Sequence, residues 1–143
     1  MIIKQISVFI ENKTGRIYEA ASILENNNIN IRSLSLADST DYGVLRMIVD
    51  KPEEAYQVLK EAGLTAKVSE VVAVEVKDQV GGFAEIMKIM YEAKINVEYM
   101  YAFVEKNKDN AILIFRFDKI KETVDVLREN GLHILKAKEV MSL

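Results

Sequence analysis

The sequence predicts an α+β fold made twice over: two βαββαβ repeats forming an extended antiparallel sheet with helices on one face. The first observation behind this is an internal duplication. The segment starting at Val8, VFIENKTGRIYEAASILENNNINIRSLSLA, returns from Val74 as VEVKDQVGGFAEIMKIMYEAKINVEYMYAF, 66 residues later. Under that shift Gly15, Glu19, Ile23, Ile29 and Asn30 fall on Gly81, Glu85, Ile89, Ile95 and Asn96. The second is that DKPEEAYQVLKEAGL from Asp50 matches DKIKETVDVLRENGL from Asp118, now 68 residues later, which puts a two-residue insertion in the polar stretch Glu105 to Asn110. The third is that apolar spacing in each copy switches between a period of two and a helical period.

The elements follow in order. Lys4 to Ile10 alternates through Ile6, Val8 and Ile10, the mark of a half-buried strand, and its copy is Val72, Val74 and Val76. A short polar loop ending in glycine comes next. Apolar residues then recur at i, i+3, i+4 and i+7: Ile17, Ala20, Ala21 and Leu24 in one copy, Phe83, Ile86, Met87 and Met90 in the other. Residues Glu25 to Asn28 end that helix, Ile31 to Ala37 reads as a second strand and Val44 to Val49 as a third. Pro52 suits a first helical turn, Ala55, Val58, Leu59 and Ala62 share one face, and Gly63 is the stop. Two helices on one face of a four-stranded antiparallel sheet, the ferredoxin-like plan, bury these stripes. The repeats are expected at 1–70 and 71–143. At their junction KVSEVVAVEV, from Lys67 to Val76, holds no glycine, proline or turn cluster, so one long strand is expected in place of a flexible linker.

Composition narrows the function classes. The chain has 143 residues, half of them apolar and 29% charged, as in ordinary globular proteins. Each repeat alone is near the size at which burial barely offsets chain entropy, so the halves are expected to share a core or an interface. With a formal charge of -3 and no long basic run, attraction to nucleic acid is not expected. There is no cysteine, and the single His133 makes no metal cluster by itself. The start, MIIKQISVFIEN, does not read as a signal peptide or membrane span, so a cytoplasmic location is expected.

The glycine loops carry the chemistry. Asn12-Lys13-Thr14-Gly15-Arg16 and Asp78-Gln79-Val80-Gly81-Gly82 each open directly into a helix. A helix start offers unsatisfied N–H groups and the positive end of the dipole, which suits a carboxylate. The same residues equally serve a turn, with Asn12 and Asp78 as polar caps.

The pattern of apolar strand, Asp/Asn-x-x-Gly-x-apolar, helix, then Ile-Asn-Ile or Ile-Asn-Val resembles the ACT domain, a regulatory module that binds small molecules. Repeat one, ISVFIENKTGRIYEAASILENNNINIRSLSLA, is similar to the first domain of the regulatory small subunit of acetohydroxyacid synthase. The resemblance covers nearly the whole chain and implies a free amino acid bound between two domains placed side by side. It implies ligand contacts at Asn12, Thr14, Gly15, Arg16, Ile17, Asn30 and Ile31, and at Asp78, Val80, Gly81, Gly82, Phe83, Asn96 and Val97. Backbone N–H groups after each glycine would hold the α-carboxylate, and Asn12, Asp78, Asn30 and Asn96 the α-ammonium. Because the loop and Asn30 lie at opposite ends of a repeat, one repeat does not bring both to a ligand; if the two second strands pair antiparallel, within one chain or between two, the Gly15 loop faces Asn96 and the Gly81 loop faces Asn30. Lys13 and Arg16 face Gln79 and Gly82 in the alignment, so the two sites differ in charge and room, and the second loop is the better-formed one. Thr14 and Val80 stand where the family often has proline.

Tyr99, Tyr101 and Phe103 alternate along one face of a strand, where repeat one has Ser33, Ser35 and Ala37. Basic surroundings for stacking bases are lacking, so this row is expected to pack in a homodimer. An enzyme is the competing class. Glu11, Glu53, Glu54 and Glu61 fall on expected turns or solvated faces, His133 reads as a loop or strand-edge residue, and no nucleophile or phosphate-loop motif is present. The reading is therefore a non-catalytic amino-acid sensor without cofactor, metal, nucleic acid or membrane partner. The alternatives are a regulatory subunit of a separate amino-acid-metabolism enzyme or a ligand-free scaffold.

Overall fold

The computed structural model describes residues 2–38, 41–103 and 109–143, so most of the expected insertion at 105–110 lies outside the described residues. The chain divides into two compact units, Lys4–Ser69 and Glu70–Leu143, the latter joined by the residues that precede Lys4.

The first unit contains β1 (Ile3–Glu11), α1 (Arg16–Asn26), β2 (Ile31–Asp38), β3 (Tyr42–Val49), α2 (Pro52–Glu61) and the start of β4 (Thr65–Lys77). The strands lie in the order β2-β3-β1-β4. Both β1 and β2 pair antiparallel with β3, Val8 opposite Leu45 and Leu34 opposite Met47. Alternation then decides the core. Ile6, Val8 and Ile10 of β1 join Leu45, Met47 and Val49 of β3 on the face that receives Ala20 and Leu24 of α1 and Ala55 and Leu59 of α2. Leu24 and Leu59 are fully buried, each removal from water stabilising by about 1.5–3 kcal/mol. Pro52 occupies the first turn of α2, where its missing N–H costs nothing, and Gly63 past its end has φ 86°, the left-handed geometry expected of the stop.

The second unit repeats the plan with the rest of β4, α3 (Gly82–Glu92), β5 (Val97–Ala102), β6 (Asn110–Phe117), α4 (Ile120–Glu129) and β7 (Ile134–Leu135). Here β6 lies between β5 and β4, and β7 pairs with β4 at Ala73 and Val74. Larger side chains fill equivalent places in the core: Ile86 where the first unit has Ala20, Phe115 and Phe117 where it has Met47 and Val49. The two phenylalanine rings stack with centroids 5.4 Å apart. A short helix that the sequence did not announce, α5 (Ala137–Met141), follows β7 and buries Val140.

The junction is the expected continuous strand, since β4 runs for 13 residues from Thr65 to Lys77. Pairing of the second strands, which the sequence left open between one chain and two, is not made within the chain. Among the described residues β2 bonds to β3 and β5 to β6, and each stands at the end of its own strand order. In the aromatic row Tyr99 and Tyr101 are half-buried and Phe103 is buried within a single chain.

Candidate functional site

The two glycine loops have the same backbone. Gly15 and Gly81 are the residues preceding α1 and α3, with φ of 90° and 84°, and neither helix start has a side-chain cap. The residue at the cap position is in both cases the glycine itself. Space is not what demands glycine at these two positions, because a Cβ there would meet nothing within 4 Å. The positive φ demands it.

That geometry leaves donors open. The amides of Arg16 and Glu19 are satisfied by Lys13 and Gly15 carbonyls, and those of Gly82 and Glu85 by Gln79 and Gly81. Among the described residues the N–H groups of Ile17, Tyr18, Phe83 and Ala84 make no backbone hydrogen bond. Each 11-residue helix therefore presents free donors at its positive end.

The surroundings of the loops differ as expected in charge, but the charges of loop one are already engaged. Lys13 Nζ lies 3.0 Å from Glu11 Oε2, and Arg16 bonds Glu19 at 3.0 Å. The Lys13 hydrogen bond and charge, with the charge of Arg16, hold the Glu11 carboxyl below its ordinary value. At Gly82 the side-chain direction is closed, since a Cβ on this buried residue would lie 2.1 Å from the Lys77 carbonyl oxygen, while Gly82 also lines a cavity of about 200 Å³ with Glu85, Ile86 and His133. Beside loop one, Ile10, Ile17, Leu36 and Gly43, with Glu11, Asn12 and Lys13, enclose a small cavity of about 50 Å³.

Asn30 and Ile31 sit elsewhere. The Asn30 N–H donates to Asp50 Oδ1 at 2.9 Å and its carbonyl accepts from Asp50 N–H at 3.1 Å, which ties the start of β2 to the end of β3. The loop lies beside Tyr42, at the other end of β3, so the length of that strand, roughly 23 Å, separates the two groups. One unit does not bring them together, as the sequence implied. At the Asn30 end a cleft of about 620 Å³ is lined by Ala21, Leu24, Glu25, Asn28, Ile29, Ile31 and Asp50. An equivalent cleft of about 330 Å³ in the second unit is lined by Ile95, Asp118, Lys119, Glu122 and others, and there Asn96 is exposed and Val97 half-buried.

His133 is at a strand edge, as its position after Gly131 suggested. Its carbonyl accepts the Glu75 N–H at 3.0 Å, and its Nε2 lies 3.2 Å from Glu139 Oε2 and 3.9 Å from Glu75 Oε2. These contacts fasten α5, and sequence alone did not bring the three residues together. The Lys136 N–H, and after it the His133 bond, hold the Glu139 carboxyl low against the opposing effect of burial. Among the described residues no group of three or more His, Cys, Asp or Glu side chains could hold a metal ion, and no helix is long and apolar enough to cross a membrane.

This duplicated frame, with a glycine-started helix in each copy, is that of paired ACT domains. The chain belongs to the ACT domain pair family, whose model matches residues 1–143. It is similar to protein BT0572 from Bacteroides thetaiotaomicron, with 32% identity and a TM-score of 0.92 over 100% of this chain and 98% of that one. It shares its fold with the regulatory subunit of aspartate kinase from Thermus thermophilus, in its ligand-free form, at 13% identity and a TM-score of 0.62 over 90% and 94% of the two chains. The corresponding Thermus flavus subunit gives 12% and 0.62 over the same shares. No curated protein matches the sequence.

Proposed function

We propose that this protein is a non-catalytic sensor of a free amino acid, acting in the cytoplasm and having no nucleic-acid or membrane partner. The ligand α-carboxylate accepts from the open N–H groups of Ile17 and Tyr18 or of Phe83 and Ala84, beside Gly15 and Gly81. The observation that carries this reading is that both repeats keep the left-handed glycine and leave the same two amides without a backbone acceptor. Asn12 and Thr14, or Asp78 and Val80, border the ligand. Arg16, already paired with Glu19, and Gly82, packed on Lys77, shape the helix start without receiving the carboxylate directly. Asn30 and Ile31, and Asn96 and Val97, belong to the far side of the site and reach a ligand when another strand edge is laid against β2 or β5. Binding favours one state of the protein by at most the ligand's differential affinity for the two states, which is how occupancy becomes a signal.

A thermal-shift screen against the twenty amino acids tests this. A ligand at about a hundred times its dissociation constant stabilises by about 2.7 kcal/mol, a rise of roughly 5–10 °C for a chain of this size. Gly15→Val and Gly81→Val, if folded, are expected to abolish the rise at their own loops. No rise with any amino acid, on protein unfolded, dialysed and refolded to strip carried-over ligand, would overturn the reading. A second reading, regulatory subunit of a separate enzyme, draws support from the shared fold with the aspartate kinase regulatory subunits. Co-purification of an enzyme with the protein distinguishes it from a free-standing sensor.

A further inference from the structure

Helix α5 belongs to one repeat only. Under the 68-residue shift its positions correspond to 69–73, which lie inside β4, so the first unit carries no counterpart among the described residues. The residues that anchor it are equally one-sided. Val74 and Ile134 point into the helix-bearing core, so their neighbours Ala73, Glu75, His133 and Leu135 share the other face of the sheet. There Asn110 donates to Glu75 Oε1 at 2.9 Å, and His133 Nε2 lies between Glu75 Oε2 at 3.9 Å and Glu139 Oε2 at 3.2 Å. The first unit has Phe9 and Thr65 in the places of Glu75 and His133. Glu139 has two tasks in one carboxylate: Oε1 accepts the Lys136 N–H at the helix start while Oε2 faces the histidine. Five residues are too few to hold a helix in water, so α5 depends on the burial of Val140 and on this carboxylate.

We propose that His133 is a pH-dependent latch for α5: the imidazolium ties Glu139 to Glu75 and keeps the helix docked, and the neutral ring lets it detach. The groups around the ring set the direction. Strand β4 contributes Glu75, with 15% of its side chain exposed, and Lys77, and α3 contributes Glu85 to the cavity that His133 shares with them. Helix α5 brings Glu139 besides its own Lys136 and Lys138, and β6 adds the neutral Asn110. A proton on the ring supplies the charge that lets Glu75 and Glu139 approach the same atom. Without it the ring keeps one N–H, bonds one carboxylate at a time and leaves the like charges opposed. A histidine that gains carboxylate partners on folding contributes stability at low pH and loses it as pH rises through the imidazole titration. Glu139, held below its ordinary carboxyl value, stays ionised through that range, so the imidazole is the group that switches. The latch goes beyond the sensor reading and does not rest on it, since it operates with no amino acid bound.

Hydrogen exchange in the full chain tests the latch. The amides of Val140 and Ser142, which bond the Lys136 and Glu139 carbonyls, report on α5, and that of Val74, inside β4, reports on the unit as a whole. The α5 amides are expected to exchange faster than Val74, through opening of the helix alone. Between about pH 5.5 and pH 8, which spans the ordinary imidazole titration, their protection, corrected for the chemical exchange rate, is expected to fall about fivefold, the scale of a partly exposed ion pair. His133→Gln keeps a hydrogen-bonding group at an exposed position without the charge, and is expected to hold α5 at the looser level at both pH values. Glu139→Gln is expected to do the same while leaving the imidazole in place. Equal α5 protection at the two pH values in the wild type overturns the inference. So does a pH dependence that survives in His133→Gln. Exchange of Val140 and Ser142 as slow as that of Val74 also overturns it, since α5 would then open only with the whole unit.

Discussion

Replacing Gly82 by alanine sets two effects against each other. In an ordinary helix position the change would stabilise by up to about 1 kcal/mol, because alanine loses less chain entropy than glycine. At Gly82 the new Cβ would stand 2.1 Å from the Lys77 carbonyl oxygen and 3.2 Å from its carbon. Those atoms are backbone in the last residue of β4, so they cannot swing aside as a side-chain end can. Forcing them apart costs about 1–3 kcal/mol by analogy with overpacked cores. The clash wins, and the expected result is a net loss of roughly 1–2 kcal/mol, or about 2–8 °C in melting temperature. Urea and thermal unfolding of Gly82→Ala measure it. The equivalent position in the first unit is Arg16, exposed and paired with Glu19, so Arg16→Ala serves as the control and is expected to change stability by less than about 0.5 kcal/mol. A Gly82→Ala protein as stable as the wild type would refute the close approach of α3 to β4, and with it the view that the second loop uses its extra glycine for packing.

Phe115→Ala, which empties a fully buried site and removes the stack on Phe117, is expected to cost about 3–5 kcal/mol, read as a lower urea midpoint at unchanged slope. Acid should weaken the fold in a defined window. Hydrogen bonds from Lys13 to Glu11, from Lys4 to Glu53 and from the Lys136 N–H to Glu139 hold these carboxyls below the ordinary 4.5. Their folded values are depressed, so their contribution is complete above the unfolded value and disappears as pH falls through the folded ones. Urea midpoints flat from about pH 5 to pH 3 would contradict this.

Much of the fold was legible because the signals were local. The alternation of Ile6, Val8 and Ile10, the stripe through Ala20 and Leu24, and the Pro52 and Gly63 punctuation each act within a few residues, and duplication let each be read twice. Helix α5 was not legible, since five residues cannot display a stripe and it buries a single side chain, Val140. The pairing of β2 with β5 was expected for a sound reason, the distance between Gly15 and Asn30, which the structure bears out. Whether one chain or two would close that distance was left open by the sequence. Strand patterning records which face is buried but not which edges meet. At the loops, sequence identified the glycines and their helix starts. It did not reveal that Lys13 and Arg16 are spent on neighbouring carboxylates, because those pairings depend on rotamers.

Asn28 and Lys94, equivalent under the 66-residue shift, both take left-handed backbone geometry, with φ of 56° and 58°. In each case the helix is closed from the next residue, Ile29 N–H to the Leu24 carbonyl and Ile95 N–H to the Met90 carbonyl, at 3.0 and 2.9 Å. Asparagine tolerates this conformation and lysine ordinarily avoids it, at about 1–2 kcal/mol. Since the two copies parted, the residue at the bend has changed while the bend has not. The shape is inherited through the closing bonds and the isoleucine that follows, which leaves the apex itself free to drift into a residue that no turn rule would select.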